Sequence, residues 1–240
     1  MNEGLLNSII GTFYVTILSV VLATPVALGT AIYLKKYTGD NLAVRIVQIL
    51  IDILSGTPSI VLGVFGMIFL CVYLKPITGG YSLLACSIAL AILIMPVIEK
   101  ASEDAIRTVP EIIEEGSYAL GATKWNTIKN ITVPYAVSGI VTGIILAAGR
   151  ASEESAIVLL TASYSENVPI FKIVPDSSML FGIRIFPLNV PIGVLPISIY
   201  DAFNNGGSSP NLFATALILI IIVMAINAVA RIIVWRWKIG

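Results

Sequence analysis

Histidine is absent from this 240-residue chain, which removes the commonest metal ligand and the usual general base near neutral pH. Charge is scarce too: Asp, Glu, Lys and Arg make up 12% of residues, against about 25% in soluble domains. The 14 basic and 14 acidic side chains cancel, and no basic tail stands out, so nucleic acid is not an expected partner. Only two cysteines occur, Cys71 and Cys86; both sit in apolar runs without a Cys-x-x-Cys pair and read as packed thiols. The opening Met1-Asn2-Glu3-Gly4 lacks the basic stretch of a cleavable signal peptide. No Gly-x-x-x-x-Gly-Lys-Ser/Thr loop is found, so ATP hydrolysis, if the protein depends on it, belongs to another polypeptide.

What remains is apolar. Hydrophobic residues make up 57% of the chain, and the mean hydropathy is +0.96. Both values point to an all-α polytopic membrane protein, because a helix needs about 20 apolar residues to cross about 30 Å of hydrocarbon. Five spans are expected, at Ser8 to Leu34, Ser59 to Leu74, Ser82 to Ile98, Tyr135 to Thr161 and Leu212 to Trp235. Pro25 and Pro96 should kink the first and third. Ahead of the second span the apolar run breaks at Ser55-Gly56-Thr57-Pro58, where proline removes a backbone donor and glycine loosens the helix. Arg45, Gln48 and Asp52 form a polar stripe before that break, which suits a helix near the interface or packed on other spans. Residues Ala162 to Pro210, rich in Pro, Gly, Asn and Ser yet apolar in patches, read as an external or re-entrant segment.

The stretch from Ala101 to Pro134 is different. It is charged and mostly helical, with a glycine break at Gly121, and it lies between two spans. A bilayer protein holds such an element in water to touch something soluble. Lys and Arg counts orient it: ten flank the loops on its side (Lys35, Lys36, Arg45, Lys100, Arg107, Lys124, Lys129, Arg231, Arg236, Lys238), and three lie opposite (Lys75, Lys172, Arg184). The positive-inside rule then puts the loop and the C-terminus in the cytoplasm, with Trp235 and Trp237 as an interfacial anchor. Five spans with the C-terminus inside put the N-terminus outside. Lys172 and Arg184 on the outer side would attract an anion or contact a binding protein.

Arg150, Glu153 and Glu154 lie within an apolar segment, where each charge costs at least about 2.5–3.5 kcal/mol on insertion scales. They should face a cavity or pair internally; at i+3 and i+4 from Arg150, either glutamate can reach it. Gly139, Gly143, Ala147 and Ala151 recur every four residues and make a surface for close helix contact. Thr57 and Ser59 sit where the helix break frees backbone donors, so an anion could bind there; a packing kink is the plainer reading.

The loop itself carries a resemblance. Glu115-Gly116-Ser117, then Gly121 after three intervening residues, Ile131 after nine more and Val133-Pro134 resemble the EAA-xxx-G-xxxxxxxxx-I-x-LP loop of ATP-binding-cassette importer permeases, with Gly116 and Ser117 standing where the family has Ala. Gly56-Thr57-Pro58-Ser59-Ile60-Val61 through Phe65-Gly66 is similar to the G-x-PSIV stretch of the phosphate-importer branch. So is Gly149-Arg150-Ala151-Ser152-Glu153-Glu154-Ser155-Ala156 to its GRA-x-GETA signature, and Leu195-Pro196 to Ile199-Tyr200 resembles its A-type (PstA-like) subunit.

This resemblance implies a type I importer permease fold with a MetI-like membrane domain, lacking one N-terminal span. It further implies that Glu115, Gly116, Ser117, Ala119, Gly121, Lys124 and Trp125 couple to an ATPase, as the family's cytoplasmic coupling helix does. Arg150 would face a phosphate oxyanion, to which an arginine fork is suited, with Glu153, Glu154, Thr57 and Ser59 along the path. Glu154 matches the family's glutamate; Glu153 stands where it has glycine and makes the site more negative. Two ATPase subunits, which bind the ATP and Mg, a homologous C-type permease or a second copy, an external phosphate-binding protein and membrane lipid are the implied partners. The chain itself would bind no cofactor and no metal, and would reside in the plasma or inner membrane. Two other readings predict different behaviour: a permease for molybdate or tungstate, and an ATP-independent secondary transporter or channel. The latter calls for an internal inverted repeat, and none is visible.

Overall fold

The computed structural model describes residues 3–39, 41–163, 171–204 and 210–237. Lys238 lies outside these bounds, as do the side chains of Arg231, Trp235, Arg236 and Trp237, on which the C-terminal anchor rests.

Helix α1 runs over Glu3–Ile32 and widens into a π turn at Tyr33–Tyr37. The hydroxyls of Thr12, Ser19, Thr24 and Thr30 donate to carbonyls four residues earlier at 2.7–2.9 Å. Polar side chains are thereby satisfied within their own helix, as lipid demands. Helix α2 (Leu42–Gly56) begins on Asn41, whose side chain accepts from the Val44 amide. Helix α3 (Ser59–Gly66) continues as a π stretch, Met67–Tyr73. The two helical pieces bend by 100° across Thr57-Pro58, at the predicted break. A single turn, α4 (Lys75–Thr78), leads to α5 (Leu83–Arg107), which Ser82 caps by accepting from the Ala85 amide.

Helix α5 runs past the expected span end at Ile98 to Arg107, well into the segment expected to begin the loop at Ala101. The reason is packing: Ser102, Ala105 and Ile106 are buried, so the helix stays supported beyond its apolar run. The loop proper then holds α6 (Glu111–Ala119) and α7 (Lys124–Thr127), followed by a π turn at Ile128–Thr132. Helix α8 (Val133–Glu153) stops short of the expected Thr161; the chain is extended at Glu154 and resumes as α9 (Ala156–Thr161). The segment from Ala162 contains an antiparallel hairpin, β1 (Lys172–Pro175) with β2 (Ile183–Phe186), the one departure from an all-α fold among the described residues. Helices α10 (Leu195–Asn204) and α11 (Pro210–Trp237) complete the chain. Three helices are long and apolar enough to cross a membrane, or four if the bent α2–α3 pair is one span; α11 contains a shorter apolar stretch, Phe213–Ala225.

Helices α1, α5 and α8 form the centre. Ala23 and Ala27 of α1 cluster with Ala91, Ile94 and Ile98 of α5 and Ala147 and Ala151 of α8. A Cβ added at Gly139 or Gly143 would collide with the side chain of Ala105 or Ala101, so the small-residue stripe of α8 faces α5 within this chain. Cys71 and Cys86 are buried free thiols, as their apolar setting suggested.

The bundle has two distinct ends. At one, Lys35 meets Glu103 at 2.8 Å, Lys36 meets Glu114 at 2.8 Å and Lys100 meets Asp52 at 2.6 Å. At the other, the amides of Leu83 and Leu84 donate to the carbonyls of Val190 and Leu188, and that of Leu180 to Pro76. The Asn189 side chain also donates to the carbonyls of Ile77 and Thr78, fastening the hairpin region over this end.

Candidate functional site

The elbow between α5 and α8 is built from inside out. Glu111 and Glu114 occupy the first turn of α6, where the helix dipole favours negative charge. The carboxylate of Glu114 is nearly buried. It accepts from the Thr132 hydroxyl at 2.6 Å and from the Lys36 ammonium at 2.8 Å. Hydrogen bonds to a charged group contribute about 1.5–3 kcal/mol each, so this side chain fastens the elbow to the end of α1. Ser117 is buried as well, its hydroxyl 2.9 Å from that of Thr127, and this contact ties α6 to α7. Between them the chain turns at Gly121, whose φ of +82° lies in the left-handed region open to glycine. The Gly121 amide donates to the Tyr118 carbonyl and that of Ala122 to Ser117. Thr123 then caps α7, accepting from the Asn126 amide.

The outer surface of this fastened elbow carries large apolar side chains among its charged ones. Leu120 is 90% exposed, Ile112 76% and Trp125 57%. Glu115, Gly116, Ala119 and Gly121 lie on the exposed side with them. Of the residues expected to couple outward, Ser117 faces inward, while Lys124 is exposed, with its ammonium over the Tyr37 ring, 5.3 Å from the centroid, at the end of α1. Glu114 and Lys36 escaped the sequence reading; a carboxylate among apolar neighbours, opposite a lysine pair closing a span, is the signal that could have found them.

The second constellation is the break between α8 and α9. Because α8 ends at Glu153, Glu154 is not four helical residues from Arg150, and among the described residues Arg150 forms no ion pair with either glutamate. Glu154 accepts from the amide of Ala156, the first residue of the resumed helix, at 3.1 Å. Arg150 and Glu153 are exposed on the single chain, while Glu154 is half-buried beside Thr12, Thr16 and Ser152. Thr57 donates its hydroxyl to the Ile53 carbonyl at 2.8 Å, which closes off the end of α2, and Ser59 opens α3. The helices that follow the two breaks are neighbours. A Cβ on Gly63 would meet Leu160, Ala156 and Ile157, and one on Gly66 would meet Thr161, so α3 and α9 run in parallel with the start of α9 beside the middle of α3. No contact joins Arg150 to Thr57 or Ser59 among the described residues.

An apolar helical bundle with helices long enough to cross a membrane, and a hydrogen-bonded elbow at one end, defines an integral membrane protein. The family of binding-protein-dependent transport system inner membrane components matches residues 23–237, and the chain belongs to it as a membrane permease subunit of ATP-binding-cassette importers. A protein of Bacillus subtilis (strain 168) described as a probable ABC transporter permease, YqgI, is 31% identical over 95% of this chain and 76% of its own length. The phosphate transport system permease protein PstA 1 of Mycobacterium tuberculosis (strain CDC 1551 / Oshkosh) is 34% identical over 96% of this chain and 70% of its own. PstA of Yersinia pestis is 31% identical over 98% and 74%. Among solved structures, an inward-facing form of the MetNI methionine ABC transporter contains a chain that superposes with a TM-score of 0.73. That likeness covers 98% of this chain and 99% of the other at 19% identity and establishes the fold.

Proposed function

We propose that this permease carries inorganic phosphate into the cell, driven by ATP hydrolysis in two partner subunits docked on the elbow. The observation that carries the docking is the contrast within the elbow. Glu114 and Ser117 lock it from within, while Leu120, Ile112 and Trp125 are left bare on its outer side. An exposed apolar patch on a rigid support is what a partner groove recognises. Closure of the ATPase dimer would move the elbow, and the Lys36–Glu114 and Lys35–Glu103 pairs would pass that motion to α1 and α5. The membrane helices then alternate between outward and inward access.

Support for phosphate comes from the relatives that carry that substrate in their names and from Arg150, a guanidinium without an intrachain carboxylate among the described residues. An external phosphate-binding protein would deliver the anion to the hairpin end, and a C-type permease or a second copy would complete the pore. In this reading the elbow and the C-terminus are cytoplasmic, ATP and Mg are held by the partner subunits alone, and the chain contributes no catalytic group. Uptake of labelled phosphate by the assembled importer tests it: uptake should require ATP and resist an excess of molybdate. ATP-dependent molybdate uptake in its place would make this an importer of another oxyanion.

A further inference from the structure

Outside the elbow and the helix breaks lies a pocket that the transport reading does not use. It holds about 200 Å³ between α1, α2 and α5 and is lined by Thr30, Val47, Leu50, Leu54, Met95 and Glu99. Its walls are almost wholly apolar, yet Glu99 is only 2% exposed and its Oε1 has no hydrogen-bond partner. The charges that act on it through space are Lys100, Lys35, Glu103 and Asp52. Both lysines are engaged: Lys100 holds Asp52 at 2.6 Å and Lys35 holds Glu103 at 2.8 Å. Three carboxylates therefore share two ammonium groups, and the one left over is the buried one.

A buried carboxylate oxygen without a donor is costly, and an apolar surround makes it more so. One monocation would balance the cluster, and the orphaned oxygen calls for an N–H donor. The volume is below the about 300–1,000 Å³ of sites for drug-sized ligands, so the occupant is a small head with a short apolar stem. We propose that this pocket binds a primary alkylammonium, its head on Glu99 and its methylenes along Val47, Leu50, Leu54 and Met95. The ethanolamine head of a membrane phospholipid and a free alkylamine share this chemistry. Since α2 forms one wall and α5 the other, an occupied pocket would hold these two helices together and favour whichever transport state keeps them in contact.

The test uses the full chain assembled with its partner subunits in nanodiscs. Hexylamine should raise the unfolding temperature, whereas hexanol and hexyltrimethylammonium, lacking the charge or the N–H, should not. Glu99→Gln should weaken the hexylamine effect at least about tenfold, and Leu50→Trp, on the exposed side of α2, should fill the pocket and do the same. In a parallel arm, native mass spectrometry should find phosphatidylethanolamine retained over phosphatidylglycerol in the wild type but not in Glu99→Gln. Retention without a hexylamine response assigns the site to lipid, and the converse assigns it to a soluble amine. Failure of both arms overturns the proposal, as does equal response to hexanol or undiminished binding in both variants.

Discussion

Lys36 and Glu114, 78 positions apart, meet at 2.8 Å with their side chains 17% and 10% exposed. The pair joins the end of the first helix to the start of the elbow, and both partners are shielded enough for the contact to count. A double-mutant cycle with Lys36→Met and Glu114→Gln should give a coupling of about 1–3 kcal/mol in thermal unfolding. Hydrogen exchange over residues 111–127 should quicken in each single variant. Additive effects would mean that the elbow is held by other contacts.

Gly121 is constrained by its backbone rather than by space, since an added Cβ would meet nothing within 4 Å. Gly121→Ala should therefore cost about 1–2 kcal/mol of elbow stability, and Gly121→Asn less, because asparagine tolerates the left-handed region. The measurement is retention of the ATPase subunits during purification, with alanine losing more than asparagine.

Gly143 and Gly29 make a contrasting pair. A side chain on Gly143 would collide with Ala101, whereas one on Gly29 would meet nothing within 4 Å. Gly143→Leu should destabilise the permease by about 1–3 kcal/mol or more, while Gly29→Ala should be neutral or stabilise by up to about 1 kcal/mol. Thermal unfolding in detergent separates the two.

Several of these positions were legible beforehand, and the pattern of success is physical. The break at Thr57-Pro58, the α8 stripe and the turn at Gly121 depend on residues whose local chemistry dictates the outcome: proline without an N–H, small side chains at helical spacing, glycine at positive φ. Helix ends that depend on tertiary contacts were not legible. Helix α5 continues to Arg107 because Ser102 and Ile106 are covered by neighbours, and α8 stops at Glu153 although its apolar run goes on. Hydropathy marks where a chain can enter lipid, not where its helix ends. For the same reason Ser117 looked like a surface residue until the buried Thr127 hydroxyl was seen beside it.

Arg150 is exposed on the single chain and is not paired with Glu153 or Glu154. If it meets the anion, Arg150→Gln should leave assembly and thermal stability unchanged and reduce phosphate uptake roughly tenfold or more, the worth of a charge-assisted hydrogen bond. Normal uptake with normal assembly would remove Arg150 from the path.

The most direct test of the account is site-specific cross-linking from the tip of the elbow. With Leu120→Cys in the co-expressed importer, a short thiol cross-linker should join this chain to the ATPase subunit, and a membrane-impermeant reagent added outside intact cells should not reach the new thiol. Labelling from outside, or an assembled importer in which position 120 never cross-links to the ATPase, would contradict it.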